Sequence, residues 1–152
     1  MTNTKFPPQQ TLEVANSCLC LYTQRAARTL ARHFDEAFRP LELTNGQYSL
    51  LMSLNRPEAP TVRETADFLA MDRTTLTALL KPLERRKLVA VAPDEKDRRK
   101  RRLRLTTAGH ALLLDAYPIW QQAHAELEML VSDAQALRTG LKALVVHIDN
   151  QE

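Results

Sequence analysis

The sequence predicts a mainly α-helical protein with a small β-wing, a winged helix-turn-helix, on three observations. Helix caps recur in order along the chain. Only two short runs have β texture, and they follow a closely spaced helix pair. The positive charge is crowded onto that same stretch. From Asp72 to Arg104 there are 12 Lys/Arg against 5 Asp/Glu, a net of +7, whereas the remaining residues carry 9 against 13, a net of −4. A charge run on its own is a solvated face; its place in the order of elements gives this one meaning.

The elements follow one another. An amphipathic helix is predicted from about Thr11 to Phe38, with Leu12, Leu19, Tyr22, Ala26, Leu30 and Phe34 at helical spacing, ended by Pro40. Thr44-Asn-Gly-Gln47 and Thr61-Val-Arg-Glu64 are capping boxes, each opening a short helix. Asp72 caps the next helix, whose apolar face is Leu76, Leu79, Leu80 and Leu83. About three residues separate it from the helix before, the length of a helix-turn-helix turn. Pro82 is expected to bend or shorten this helix. Leu88–Val91 and Leu103–Leu105 read as strands flanking a long basic tip. Thr106 caps a helix that Pro118 should kink or interrupt, and Ser132-Asp-Ala-Gln135 is a capping box for the last.

This order points to double-stranded DNA. Arg73, Thr74, Thr75 and Thr77 in the first turn of the Asp72 helix suit base edges in a major groove, with Lys81 placed for a phosphate. Arg98, Arg99, Lys100, Arg101 and Arg102 repel one another on the hairpin tip, and a polyanion relieves that repulsion. Asp94 and Asp97 are expected to shape the tip through local hydrogen bonds or an arginine partner.

Other classes find less support. There is no glycine-rich phosphate loop, no paired-carboxylate motif and no nucleophile with a placed base, so an enzyme is not expected. No cofactor motif occurs, and the four histidines lack metal-ligand spacing. The polar N-terminus, the lack of a membrane-spanning apolar run and the two cysteines together suggest a reduced, cytoplasmic setting. A protein-interaction module docking its basic loop on an acidic partner is the competing reading. It leaves the polar first turn of the Asp72 helix without a purpose.

Three stretches, LELTNGQYSLLMSL, TVRETADFLAMDRTTLTALLKPLERRKLV and DEKDRRKRRLRLTTAGHALL, resemble the MarR family of regulators. The family's wing pattern falls on Asp94, Asp97 and Arg99, and its Leu-Thr-x-x-Gly on Leu105, Thr106 and Gly109. The resemblance implies a homodimer whose terminal helices intertwine. Residues 1–38 would form an N-terminal dimerisation helix, 39–106 the DNA-binding winged helix and 107–152 the C-terminal dimerisation helices. It also implies a repressor on a palindromic operator, released by a small ligand or by cysteine oxidation.

Two triggers follow from that resemblance. The string C-L-C-L-Y is similar to the cysteine region of hydroperoxide-sensing members, with Cys18 as the thiol and Tyr22, four residues on along a helix, as its partner. On one continuous helix a Cys18–Cys20 disulfide is not expected, because side chains two apart diverge. A pocket for a small aromatic or phenolic effector would draw on Tyr22, His33, Tyr48, Trp120 and His124.

Overall fold

A computed structural model describes residues 5–149, so residues 1–4 and 150–152 of the expected terminal segments lie outside the description. Among the described residues, seven helices and one two-stranded sheet follow in the order α1 (Pro8–Ser17), α2 (Leu19–Phe38), a 3₁₀ turn (Arg39–Leu41), α3 (Asn45–Leu54), α4 (Val62–Phe68), α5 (Arg73–Arg85), β1 (Val89–Pro93), β2 (Arg101–Leu105), α6 (Thr107–Glu128) and α7 (Ala134–Asp149). No described helix is long and apolar enough to cross a membrane.

The caps do what their chemistry predicts. Thr44 and Thr61 each accept from the backbone three residues on, while Gln47 and Glu64 reach back to the cap nitrogen. Those bonds also hold the Glu64 carboxyl below its ordinary pKa. Asp72 and Thr106 cap α5 and α6. The last cap is shifted by one residue: Asp133, not Ser132, accepts the Ala136 N–H, at 2.8 Å, and α7 begins at Ala134.

Three expectations on continuity change. The first helix is two helices, broken at Cys18, whose ψ of 105° is extended. α1 starts with proline at its first position, where no N–H is missed. In contrast, α6 continues past Pro118 and α5 past Pro82, so neither helix ends at its proline; tertiary packing on both sides of each proline outweighs the lost hydrogen bond. The hairpin strands are also longer than expected, Val89 pairing with Leu105 and Pro93 with Arg101.

The chain turns at three left-handed residues, Glu42, Ala70 and Lys87, none of them glycine. Each follows a helical segment, and the bonds around them are of the Schellman type. After α5, Lys87 N–H donates to Glu84 and Leu88 N–H to Leu83, both at 2.9 Å. Ala70 forms the turn between α4 and α5, with Met71 N–H bonded to Ala66.

One core joins α2 to the winged helix: Phe34 and Phe38 from α2, Leu50, Leu51 and Leu54 from α3, Leu76, Leu80 and Leu83 from α5, Leu103 and Leu105 from β2, and Leu113 and Ala116 from α6. The Leu-Thr-x-x-Gly stretch closes it. Thr106 donates its hydroxyl to the Lys87 carbonyl at 2.7 Å, and its N–H to that of Leu88 at 3.1 Å. A Cβ on Gly109 would stand 2.2 Å from the Leu88 carbonyl oxygen, so glycine is needed there for close approach.

Candidate nucleic-acid interface

The candidate recognition helix is α5. Leu76, Leu80 and Leu83 are buried and fix its rotation. At 100° per residue the opposite face then carries Thr74, Ala78, Lys81 and Arg85, all exposed. Arg85 belongs to this face and was not among the sequence-predicted residues; its spacing of four from Lys81 is the signal that points to it.

The first turn differs in detail from its sequence reading. Thr75 donates its hydroxyl to Asp72 at 2.6 Å, and Thr77 donates to the Arg73 carbonyl at 2.7 Å. Both hydroxyls remain able to accept, but their protons are engaged. The Thr75 bonds also hold the Asp72 carboxyl below its usual pKa. Arg73 and Thr74 are exposed and carry no such bond among the described residues. Thr74 therefore has the freer hydroxyl of the three threonines.

The wing has a buried anchor. Asp94 is 5% exposed and takes the backbone N–H groups of Lys96 (2.8 Å) and Asp97 (2.9 Å) together with the Arg102 guanidinium. The Arg102 bond, then the Asp97 bond, hold its carboxyl down at about 2. Arg102 also donates to the Ala59 carbonyl at 2.6 Å, and the Leu103 N–H reaches the Pro60 carbonyl at 2.8 Å. The wing is thus pinned to the segment leading into α4. Arg102 is a structural cation, although it stands in the same basic run as the others.

The loop is closed by Asp94 N–H to the Lys100 carbonyl and Lys100 N–H to the Asp97 carbonyl, both 2.9 Å. Asp97 accepts from the Arg99 backbone at 3.1 Å and from its Nε at 3.2 Å. Arg98, Lys100 and Arg101 are exposed and form no ion pair among the described residues. Arg101 is on β2, opposite Pro93, rather than on the tip. A rigid frame thereby presents uncompensated positive charge next to α5, which packs against β1.

The residues named for a trigger do not converge. Cys18 lies between helices and not on α2, so it shares no helix face with Tyr22; its sulfur accepts from the Leu21 N–H at 3.4 Å. Cys18 and Cys20 are both free thiols, and with Cys18 capping α2 the two do not stand on one continuous helix. Cys20 accepts from Gln24 at 3.2 Å. Tyr48 and Trp120 do line one cavity of about 730 Å³, together with Met52, Arg56, Phe68 and Tyr117. Burial, with Tyr117 nearby, raises the Tyr48 phenol pKa. The Arg56 guanidinium lies 5.5 Å from the Phe68 ring centroid. His33 lines a separate cavity of about 530 Å³ between α2 and α6, and its buried Nε2 has no partner among the described residues. Tyr22 is exposed and lines neither; His124 stacks on Trp120 at 4.7 Å and lines neither. No cluster with a metal-ligand set occurs among the described residues.

Comparison with known proteins agrees with this architecture. The family model described as "MarR family" matches residues 43–100. The M. tuberculosis transcriptional regulator MosR, solved in complex with DNA, superimposes with a TM-score of 0.81 at 35% identity, over 90% of this chain and 99% of that one. The chain belongs to the MarR family. Among other relatives of this MarR-family protein, the Staphylococcus aureus regulator SarZ is 24% identical over 88% of this chain and 91% of its own. Bordetella bronchiseptica BpsR, described with 6-hydroxynicotinic acid regulating its DNA binding, has a TM-score of 0.69 at 25% identity, covering 86% of this chain and 92% of that one. The family is one of transcriptional regulators and not of enzymes.

Proposed function

We propose that this MarR-family protein binds double-stranded DNA as a homodimer, represses transcription from a palindromic operator, and is released by a small aromatic ligand. The observation that carries the DNA reading is the wing: Arg98 and Lys100 on the loop, and Arg101 at the start of β2, have no ionic partner among the described residues, and buried Asp94 with Arg102 holds the loop in place. Rigid, uncompensated cations beside an exposed helix face suit a phosphate backbone and its grooves. MosR, similar over nearly its whole length, was solved with DNA. In this reading Arg73, Thr74, Thr75 and Thr77 approach bases, Lys81 and Arg85 meet phosphates, and Arg99 reaches the backbone or minor groove.

Release by a ligand draws support from the cavity under Tyr48, Arg56, Phe68, Tyr117 and Trp120. Its aromatic walls and single guanidinium suit a planar, anionic or phenolic molecule. The BpsR comparison, with its hydroxynicotinic acid, points the same way. Cysteine oxidation has less geometry behind it, since no side-chain hydrogen bond joins Tyr22 to Cys18 among the described residues.

Gel-shift titration against selected duplexes at several salt concentrations tests the DNA reading. Arg99→Ala is expected to lower affinity about tenfold on every sequence and to reduce the salt slope by about 1. Thr74→Ala is expected to relax preference at one base position. Affinity that does not change between low and moderate salt would overturn the proposal.

A further inference from the structure

The link between α2 and the DNA-binding elements turns at Glu42, which is left-handed at φ 52° and ψ 39°. A non-glycine residue there is disfavoured by sterics, so its surroundings must hold it. Two side chains from either side of the hinge do so. Arg86, reaching back 44 and 45 residues, donates Nη1 to the Glu42 carbonyl at 2.6 Å and Nη2 to the Leu41 carbonyl at 3.1 Å. Asp35 of α2 accepts the first N–H of α3, from Asn45, at 2.6 Å.

Arg86 is well placed to transmit a position. It is the C-cap of α5, and the bonds of Lys87 and Leu88 back onto that helix fix its backbone. One end of the strut is therefore rigid with the recognition helix, and the other grips the carbonyls at the end of the segment that continues α2. A planar guanidinium can bridge two adjacent carbonyls; an ammonium concentrates its charge at one point.

We propose that Arg86 is a positioning residue for DNA recognition: it fastens the C-terminal end of α5 to the left-handed hinge at Glu42, and so sets where the recognition helix stands relative to α2. The inference rests on the DNA-binding reading above. Arg86 needs no contact with DNA to act in this way, which separates it from Lys81 and Arg85 on the outward face of the same helix.

The test uses the full chain and two probes: the strongest duplex recovered by in-vitro selection with the unmodified protein, and a random-sequence duplex of equal length. Arg86→Ala is expected to weaken the selected duplex about tenfold while leaving the random duplex and the salt slope unchanged. Hydrogen exchange at the Glu42 and Leu43 amides should quicken, since both bond across the hinge to Arg39 and Phe38. Arg86→Lys, which preserves charge and folding, should lose part of the specific affinity and show the same faster exchange. Equal weakening of both duplexes with a salt slope reduced by about 1 would make Arg86 a phosphate contact and overturn the proposal. Unchanged affinity for the selected duplex would overturn it too. If the unmodified protein binds neither duplex at low salt, it is the DNA-binding reading that fails; the exchange measurement still reports on the strut.

Discussion

The winged helix and the terminal helices are made of similar leucine-rich helices but dispose of their leucines differently. In the winged helix, Leu50, Leu51, Leu76, Leu83 and Leu103 are fully buried. In α7, Leu137, Leu141, Leu144 and Val145 stay 39–49% exposed, and α1 buries no residue. The first region is closed by its own contacts. The second presents an apolar stripe at spacings of four, three and one, which in water favours a second chain. That contrast is the physical support for the proposed homodimer, in which the winged helix would recognise DNA and the terminal helices would pair.

The sharpest way to break the self-contained half is at its tightest contact. Gly109→Ala drives a methyl group into the Leu88 carbonyl and should cost about 3 kcal/mol or prevent folding altogether. Urea denaturation reads this; a loss below about 1 kcal/mol would mean that α6 can slide away from β1. The other half should break differently. Leu141→Glu is expected to leave helix content intact by circular dichroism while weakening self-association roughly thirtyfold, about 2 kcal/mol. Sedimentation at several concentrations checks it, and an unchanged dimer would place the pairing face elsewhere.

A gentler probe sharpens the picture of the wing. Its anchor, Asp94, is held at about 2 against an ordinary 3.8, so its contribution is fully present above 3.8 and is lost as pH falls toward about 2. The amides of Lys96 and Asp97 should stay protected from pH 7 down to about 4 and open only below that. Asp94→Asn should open them at neutral pH and weaken DNA binding, while the unfolding midpoint moves little. The smallest effect is expected at the end of the recognition helix. Lys87→Gly places glycine at a left-handed position and should stabilise by about 1 kcal/mol, seen as a higher urea midpoint with an unchanged slope.

Much of the interface was legible in the residues themselves. Caps depend on a side chain and the backbone three residues away, so Thr44, Thr61, Asp72 and Thr106 could be assigned from the linear order. The wing motif was legible for the same reason, with Asp94 and Asp97 bonding to amides two and three residues on. The errors arose where distant parts of the chain decide. Arg102 looked like one more basic residue until its partners, Asp94 and the Ala59 carbonyl, were in place. Arg85 stands four residues after Lys81 and so shares its face, a local signal that the sequence reading passed over. Pro118 could kink or interrupt its helix by propensity, and α6 continues past it without interruption.

The trigger shows the same boundary. Tyr48 and Trp120 are 72 residues apart and share a cavity, whereas Cys18 and Tyr22 are near neighbours and do not share a helix. By itself, then, the sequence determined most of the elements, their order, and the concentration of charge on α5 and the wing, because hydrogen-bonded caps, turns and charge runs are local; the break at Cys18 it did not show. Only the tertiary structure decided which cations are spent inside the fold, which aromatic residues meet in one cavity, and how Arg86 joins the recognition helix to the hinge. Those depend on contacts between residues far apart in the chain, and no local pattern encodes which of the possible contacts the packed core will bring together.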